Sequence, residues 1–96
     1  MSGEKILITE DERITALDLK MTLEKLGYLV VGSVASGEES IEYARRLKPD
    51  LVLMDIHLKT AMMGTEAAQL ISKELDIPVI FLSAYSDRSV IREAGQ

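Results

Sequence analysis

Glu10 and Asp11 follow directly on Ile6-Leu7-Ile8-Thr9, and Asp55 follows directly on Leu51-Val52-Leu53-Met54. Ser83 stands in the same relation to Val79-Ile80-Phe81-Leu82. If these apolar runs are neighbouring strands, three carboxyl groups converge at one end of a sheet. Their mutual repulsion raises at least one pKa unless a cation intervenes. A small set of hard oxygen ligands suits Mg2+, which keeps several waters and takes one or two carboxylates plus a phosphate oxygen. Asp55 is then placed as a carboxylate nucleophile toward a phosphoryl group, and Ser83 as a hydroxyl that bonds a phosphate oxygen. Such a transfer depends on positioning and charge stabilisation more than on proton chemistry.

Each of these residues also has a plainer reading. An acid after a strand commonly caps the next helix, which would account for Asp11 alone. Glu10 alone fits a solvated turn, and a serine after a strand is common. Capping explains Asp55 less well, because the next helix starts well downstream. His57 is the single histidine and there is no cysteine, so the ligand set of a zinc site is missing. His57 reads instead as a loop residue at the mouth of the site. Met62-Met63 reads as loop or core packing, and Arg45-Arg46-Lys48 as a solvated helix face.

Bulk properties narrow the class further. A chain of 96 residues with 47% hydrophobic residues is one domain, residues 1–96, with a core but a thin stability margin. The absence of cysteine excludes a disulfide framework and a thiolate nucleophile, and fits a reducing, cytoplasmic setting. A net charge of -5 argues against binding to nucleic-acid phosphates, which rests on Lys and Arg. No apolar run approaches a signal-peptide core or a membrane span.

The elements that must position the acids alternate along the chain. Lys5 to Thr9 suits a strand buried on both faces. Asp11 to Leu26 has helical spacing: Ala16, Leu19, Leu23 and Leu26 form an inward face that Ile14, Leu17 and Met21 widen, with Gly27 as the stop. Tyr28 to Val34 is a second strand. Ser36-Gly37-Glu38-Glu39 opens a second helix with acids in its first turn and Ile41, Ala44 and Leu47 inward. Lys48-Pro49-Asp50 ends that helix, since residues before proline avoid the helical region. Leu51 to Met54 forms a third strand closed by Asp55. Thr65 to Leu75 forms a third helix with Ala68, Ile71 and Leu75 inward. Val79 to Leu82 forms a fourth strand after Pro78, and Asp87 to Ala94 a short fourth helix. The βαβαβαβα order implies an α/β doubly wound parallel sheet covered on both faces. Ligands of such sheets bind beyond the carboxyl ends of the strands, where the winding reverses.

Four blocks, in order and at fitting intervals over the whole chain, resemble the response-regulator receiver domains of two-component signalling. They are Ile6-Leu7-Ile8-Thr9-Glu10-Asp11-Glu12, Pro49-Asp50-Leu51-Val52-Leu53-Met54-Asp55-Ile56, Met63-Gly64 before a helix, and Pro78-Val79-Ile80-Phe81-Leu82-Ser83-Ala84. The resemblance implies a flavodoxin-like sheet of strand order 2-1-3-4-5, here 2-1-3-4. It implies that Asp55 accepts phosphate from a phosphohistidine on a sensor histidine kinase. It further implies that Asp11 and Asp55 hold Mg2+, with Glu10 acting through water and the His57 backbone carbonyl completing the set. Ser83 matches the family's switch hydroxyl, and His57 and Tyr85 match positions that tune phosphate loss.

The chain also departs from the pattern. Glu10 replaces the more frequent aspartate, and the loop after Asp55 lacks the proline often seen there. The sequence given stops at Gln96, before the family's fifth strand, phosphate-contacting lysine and fifth helix, so the domain is expected to be incomplete at its C-terminus. An apolar fourth-strand edge without a fifth strand invites pairing. This motivates the competing expectation of a non-catalytic interaction module that forms a homodimer or is covered by a partner chain. A dehalogenase-type phosphatase needs a second aspartate two residues after the first, where His57 stands. A flavodoxin needs a phosphate loop where Glu10-Asp11-Glu12 would repel a phosphate.

Overall fold

The computed structural model describes residues 3–56, 58 and 62–82. Its elements alternate: β1 (Lys5–Thr9), α1 (Arg13–Lys25), β2 (Leu29–Val34), α2 (Gly37–Leu47), β3 (Leu51–Asp55), α3 (Gly64–Glu74) and β4 (Val79–Leu82). The strands form one sheet of order β2-β1-β3-β4, and every pairing is parallel. Each sequence-predicted strand and the first three helices are present. The fourth helix, placed at Asp87 to Ala94, lies outside the described residues.

Parallel strands with helices on both faces must bury both sides, and β1 does so: Ile6, Leu7, Ile8 and Thr9 are all buried. Leu7, Val52 and Met54 face one core, together with Ala44 from α2 and Ala67 and Ile71 from α3. Ile6, Ile8 and Leu53 face the other, with Leu19 and Leu23 of α1 packed against them. Alternation along each strand therefore assigns α1 to one face and α2 and α3 to the opposite face. One irregularity interrupts the β1–β2 ladder, where Ile6 pairs with Val30 but Leu7 pairs with Gly32, leaving an extra residue in β2.

Local chemistry sets the helix ends. Ser36 caps α2, its hydroxyl oxygen accepting from the Glu39 amide at 3.1 Å, while the Glu39 carboxylate accepts from the Ala35 amide at 3.2 Å. The helix ends before Pro49 as expected, with Lys48 as its C-cap in the left-handed region (φ 50°, ψ 60°). The Lys48 amide closes onto the Ala44 carbonyl at 3.0 Å, so the cap is satisfied.

The main correction concerns α1. Only Ala16 is buried on this helix, with Leu19 and Leu23 half-buried. Ile14, Leu17 and Met21 are 85%, 57% and 51% exposed, and Leu26 is exposed as well. At about 100° per residue, Ile14, Leu17 and Met21 cluster opposite Ala16, Leu19 and Leu23. The helix carries two apolar stripes, and spacing alone merged them into one broad face. A second correction is small: α1 begins at Arg13 with Glu12 as its N-cap residue, two positions later than expected, and α3 begins one earlier, at Gly64.

Candidate metal centre and phosphoacceptor

The winding direction reverses between β1 and β3: from β1 the chain leads through α1 to β2 on one side, while β3 and β4 lie on the other. Thr9 is level with Met54 in the β1–β3 ladder, so the next residues, Glu10 and Asp55, emerge side by side at the carboxyl end of the sheet. Backbone bonds fix both strand ends. The Glu10 amide donates to the Val34 carbonyl at 2.9 Å, and the Ile56 amide donates to the Leu82 carbonyl at 2.9 Å.

Glu10, Asp11 and Asp55 each bring one carboxylate oxygen into a group whose members all lie within 4.8 Å of one another. Glu10 and Asp55 are only 8% and 7% exposed, and Asp11 is half-buried. These positions decide between the earlier alternatives. Glu10 is not a solvated turn residue. Asp11 is not a helix cap, since Glu12 occupies that position, and Asp55 is not one either, since the N-cap position of α3 is Met63.

Electrostatics mark the group as short of positive charge. The Glu10 carboxyl is pushed up to about 7 from an ordinary 4.5, chiefly by burial, with the neighbouring Asp55 charge and hydrogen bonds to Asp11 and Asp55 adding to the rise. The Glu12 amide, which donates to Glu10 Oε2 at 3.0 Å, opposes that rise. Three clustered acids, two of them buried, with one driven toward its neutral form, are a donor set suited to a hard divalent cation. Glu10 and Asp11 open onto a cleft of ≈ 310 Å3 along α1, lined also by Arg13, Leu17 and Lys20.

A profile of the response regulator receiver domain family matches residues 6–96. The chain belongs to that family. Among curated relatives, this receiver domain is 37% identical over 90 residues to the transcriptional regulatory protein PdtaR of Mycobacterium tuberculosis, covering 94% of the chain and 43% of PdtaR. It is 34% identical over 93 residues to the chemotaxis protein CheY of Thermotoga maritima, covering 96% of the chain and 77% of CheY. The chain thus spans less than half the length of PdtaR. Among solved structures, the signal receiver domain of a modulated diguanylate cyclase from Desulfovibrio desulfuricans G20 superposes with a TM-score of 0.80 at 37% identity, covering 95% of this chain and 72% of that one.

Receiver domains are regulatory modules of two-component systems, not conventional enzymes, and as a family bind Mg2+ at an acidic pocket. Of the residues singled out from sequence, the fold of this receiver domain brings Glu10, Asp11 and Asp55 together. Ser83, His57 and Tyr85 lie outside the described residues. Sequence reasoning overlooked Ser40, whose buried side chain meets Thr9 behind the site, and the steric role of Gly64 beside Asp55. A serine four residues before the inward Ala44 was a readable signal for the first.

Among the described residues no helix is long and apolar enough to cross a membrane.

Proposed function

We propose that this receiver domain is the phospho-accepting switch of a phosphorelay, in which Asp55 takes a phosphoryl group from a phosphohistidine of a sensor histidine kinase in the cytoplasm. The observation that carries the reading is the meeting of Asp55 with Glu10 and Asp11, 45 and 44 residues before it in sequence, within 4.8 Å at the switch point. Asp11 and Asp55 would hold Mg2+ directly, with Glu10 acting through water and, by family resemblance, the His57 carbonyl. The ion, when bound, neutralises the acids and offsets charge on the phosphoryl oxygens.

Asp55 performs the chemistry. One carboxylate oxygen attacks phosphorus in line with the P–N bond, which breaks as the new O–P bond forms. The imidazole nitrogen keeps the electron pair and is protonated from water, and Asp55 becomes an acyl phosphate. Burial of Asp55 keeps its nucleophilic oxygen from being fully hydrated. Ser83 is assigned the hydroxyl that follows the phosphoryl group. The resulting charge change would bias partner choice, provided the two states differ in contacts to the phosphoryl group.

The exposed stripe Ile14, Leu17 and Met21 lies on the helix that begins just after the acids and supports a partner role. Its spacing suits the side of a helix in the kinase, which would bring the phosphohistidine to Asp55.

The test is labelling of the full chain by acetyl phosphate with Mg2+, read as the mass gain of one phosphoryl group. Wild type is expected to be labelled and Asp55→Asn to be silent. Equal labelling of the two proteins overturns the assignment.

A further inference from the structure

Gly64 opens α3 and lies against the peptide of Asp55. A Cβ at position 64 would fall well inside 3.0 Å of the Asp55 carbonyl oxygen, with the Asp55 carbonyl carbon and Met54 Cγ each at 3.4 Å. A side chain cannot be fitted there by rotating a flexible neighbour, because the obstacle is backbone. Nor is Gly64 present for conformational freedom. The positive-φ glycines among the described residues are Gly3 and Gly27, and Gly64 has helical backbone. What position 64 requires is the absence of a side chain.

Both partners in the contact are held from behind. The first turn of α3 is closed by the Met63 amide, which donates to Glu66 Oε1 at 3.0 Å. One turn on, Ala67 is fully buried against α2, where a Cβ at Gly37 would lie 3.2 Å from the Ala67 Cβ. On the other side, β3 is fixed by the Ile56–Leu82 backbone bond at 2.9 Å and by Met54, which is fully buried. A methyl group at position 64 therefore forces a shift of several tenths of an ångström at the Asp55 peptide or at α3. The Asp55 peptide is one atom from the Cα that aims the carboxylate at Glu10 and Asp11.

We propose that Gly64 is a positioning residue for Asp55: its bare α-carbon lets α3 rest on the Asp55 carbonyl and hold the nucleophile in register with the other two acids. This rests on the reading of Asp55 as the phosphoacceptor. Phosphoryl transfer is sensitive to such shifts, because a misplacement of about 1 Å costs roughly a hundredfold in rate. Gly37 supplies a comparison at the other helix start, since it opens α2 where an added Cβ would meet the Ala67 and Met62 side chains at 3.2 Å and not Asp55.

The experiment measures acetyl phosphate labelling of the full chain at saturating Mg2+ for wild type, Gly64→Ala, Gly37→Ala and Asp55→Asn, with rates per folded molecule and Tm taken alongside. Gly64→Ala is expected to lower the maximal rate roughly tenfold or more with little change in the donor KM, while Gly37→Ala lowers Tm and stays within about twofold of wild type. A Gly64→Ala rate within about twofold of wild type, or an equal rate loss in Gly37→Ala, overturns the proposal. If Gly64→Ala does not fold in buffer, the rates are taken in trimethylamine N-oxide, which favours compact states. A chain that stays unfolded there makes Gly64 a scaffold residue and also overturns it. An unlabelled wild type defeats the phosphoacceptor reading itself. A labelled wild type with silent Asp55→Asn and unchanged Gly64→Ala defeats only the positioning role.

Discussion

The hydroxyl of Thr9 donates to Oγ of Ser40 across 2.9 Å, with both side chains sealed from solvent. This bond ties α2 to β1 one residue before Glu10, so the strand end that carries two acids is braced through an apolar core by one polar contact. Removing one partner strands a buried hydroxyl, which costs more than removing both. Thr9→Val and Ser40→Ala are each expected to lose about 1–3 kcal/mol in urea unfolding, and the double variant less than the sum. Strict additivity in that cycle would show that the hydroxyls do not interact.

Loss of a carboxylate from the cluster should weaken metal binding and stabilise the metal-free chain together. The three acids repel one another, so Asp11→Asn relieves charge while removing one carboxylate from the proposed ligand set. Calorimetric titration with Mg2+ is expected to show a loss of roughly tenfold or more in affinity for Asp11→Asn. Thermal melts without metal should show a raised Tm. An unchanged Mg2+ isotherm would remove Asp11 from the metal centre.

Glu10 gives the metal-free chain a defined pH dependence. Its carboxyl sits at about 7 in the fold against an ordinary 4.5. Between those values the folded chain holds more protons than the unfolded one, so stability falls as pH rises through that window. The loss is absent below the lower value and complete above the higher one. A decrease on the order of 1–2 kcal/mol is expected between pH 5 and pH 8 in chelator, allowing for partial solvation at the sheet's rim. Mg2+ should recover stability at the alkaline end, and Glu10→Gln should flatten the profile. A Glu10→Gln profile that overlays wild type would rule out Glu10 as the cause.

The outer stripe of α1 separates packing from partner contact. Ile14 is 85% exposed, so Ile14→Lys should change unfolding free energy by no more than about 0.5 kcal/mol. Acetyl phosphate labelling should be unaffected, whereas phosphotransfer from the cognate kinase should slow. A large drop in stability would instead return Ile14 to the core. For comparison, Ile71→Ala on the buried face of α3 should cost about 2–5 kcal/mol.

The amino-acid sequence by itself determined the alternation of elements, the parallel sheet and the identity of the three acids. Runs such as Ile6-Leu7-Ile8 and Leu51-Val52-Leu53-Met54 can be buried only as central strands with helices on both faces, and such a sheet gathers the residues after its strands at one end. The tertiary structure decided what depends on contact between distant segments. Spacing put the apolar residues of α1 on one broad inward face, and the fold divides them: Ala16, Leu19 and Leu23 turn toward the sheet, and Ile14, Leu17 and Met21 do not. Helical period is a property of one segment, whereas burial depends on what packs against it. For the same reason Glu10 and Asp11 were legible as acids, but not that Glu10 would be buried or that Asp11 would not occupy the N-cap position of α1. The needs of Ser40 for Thr9, and of Asp55 for a bare α-carbon at Gly64, arise only where chain segments far apart in sequence come within van der Waals distance.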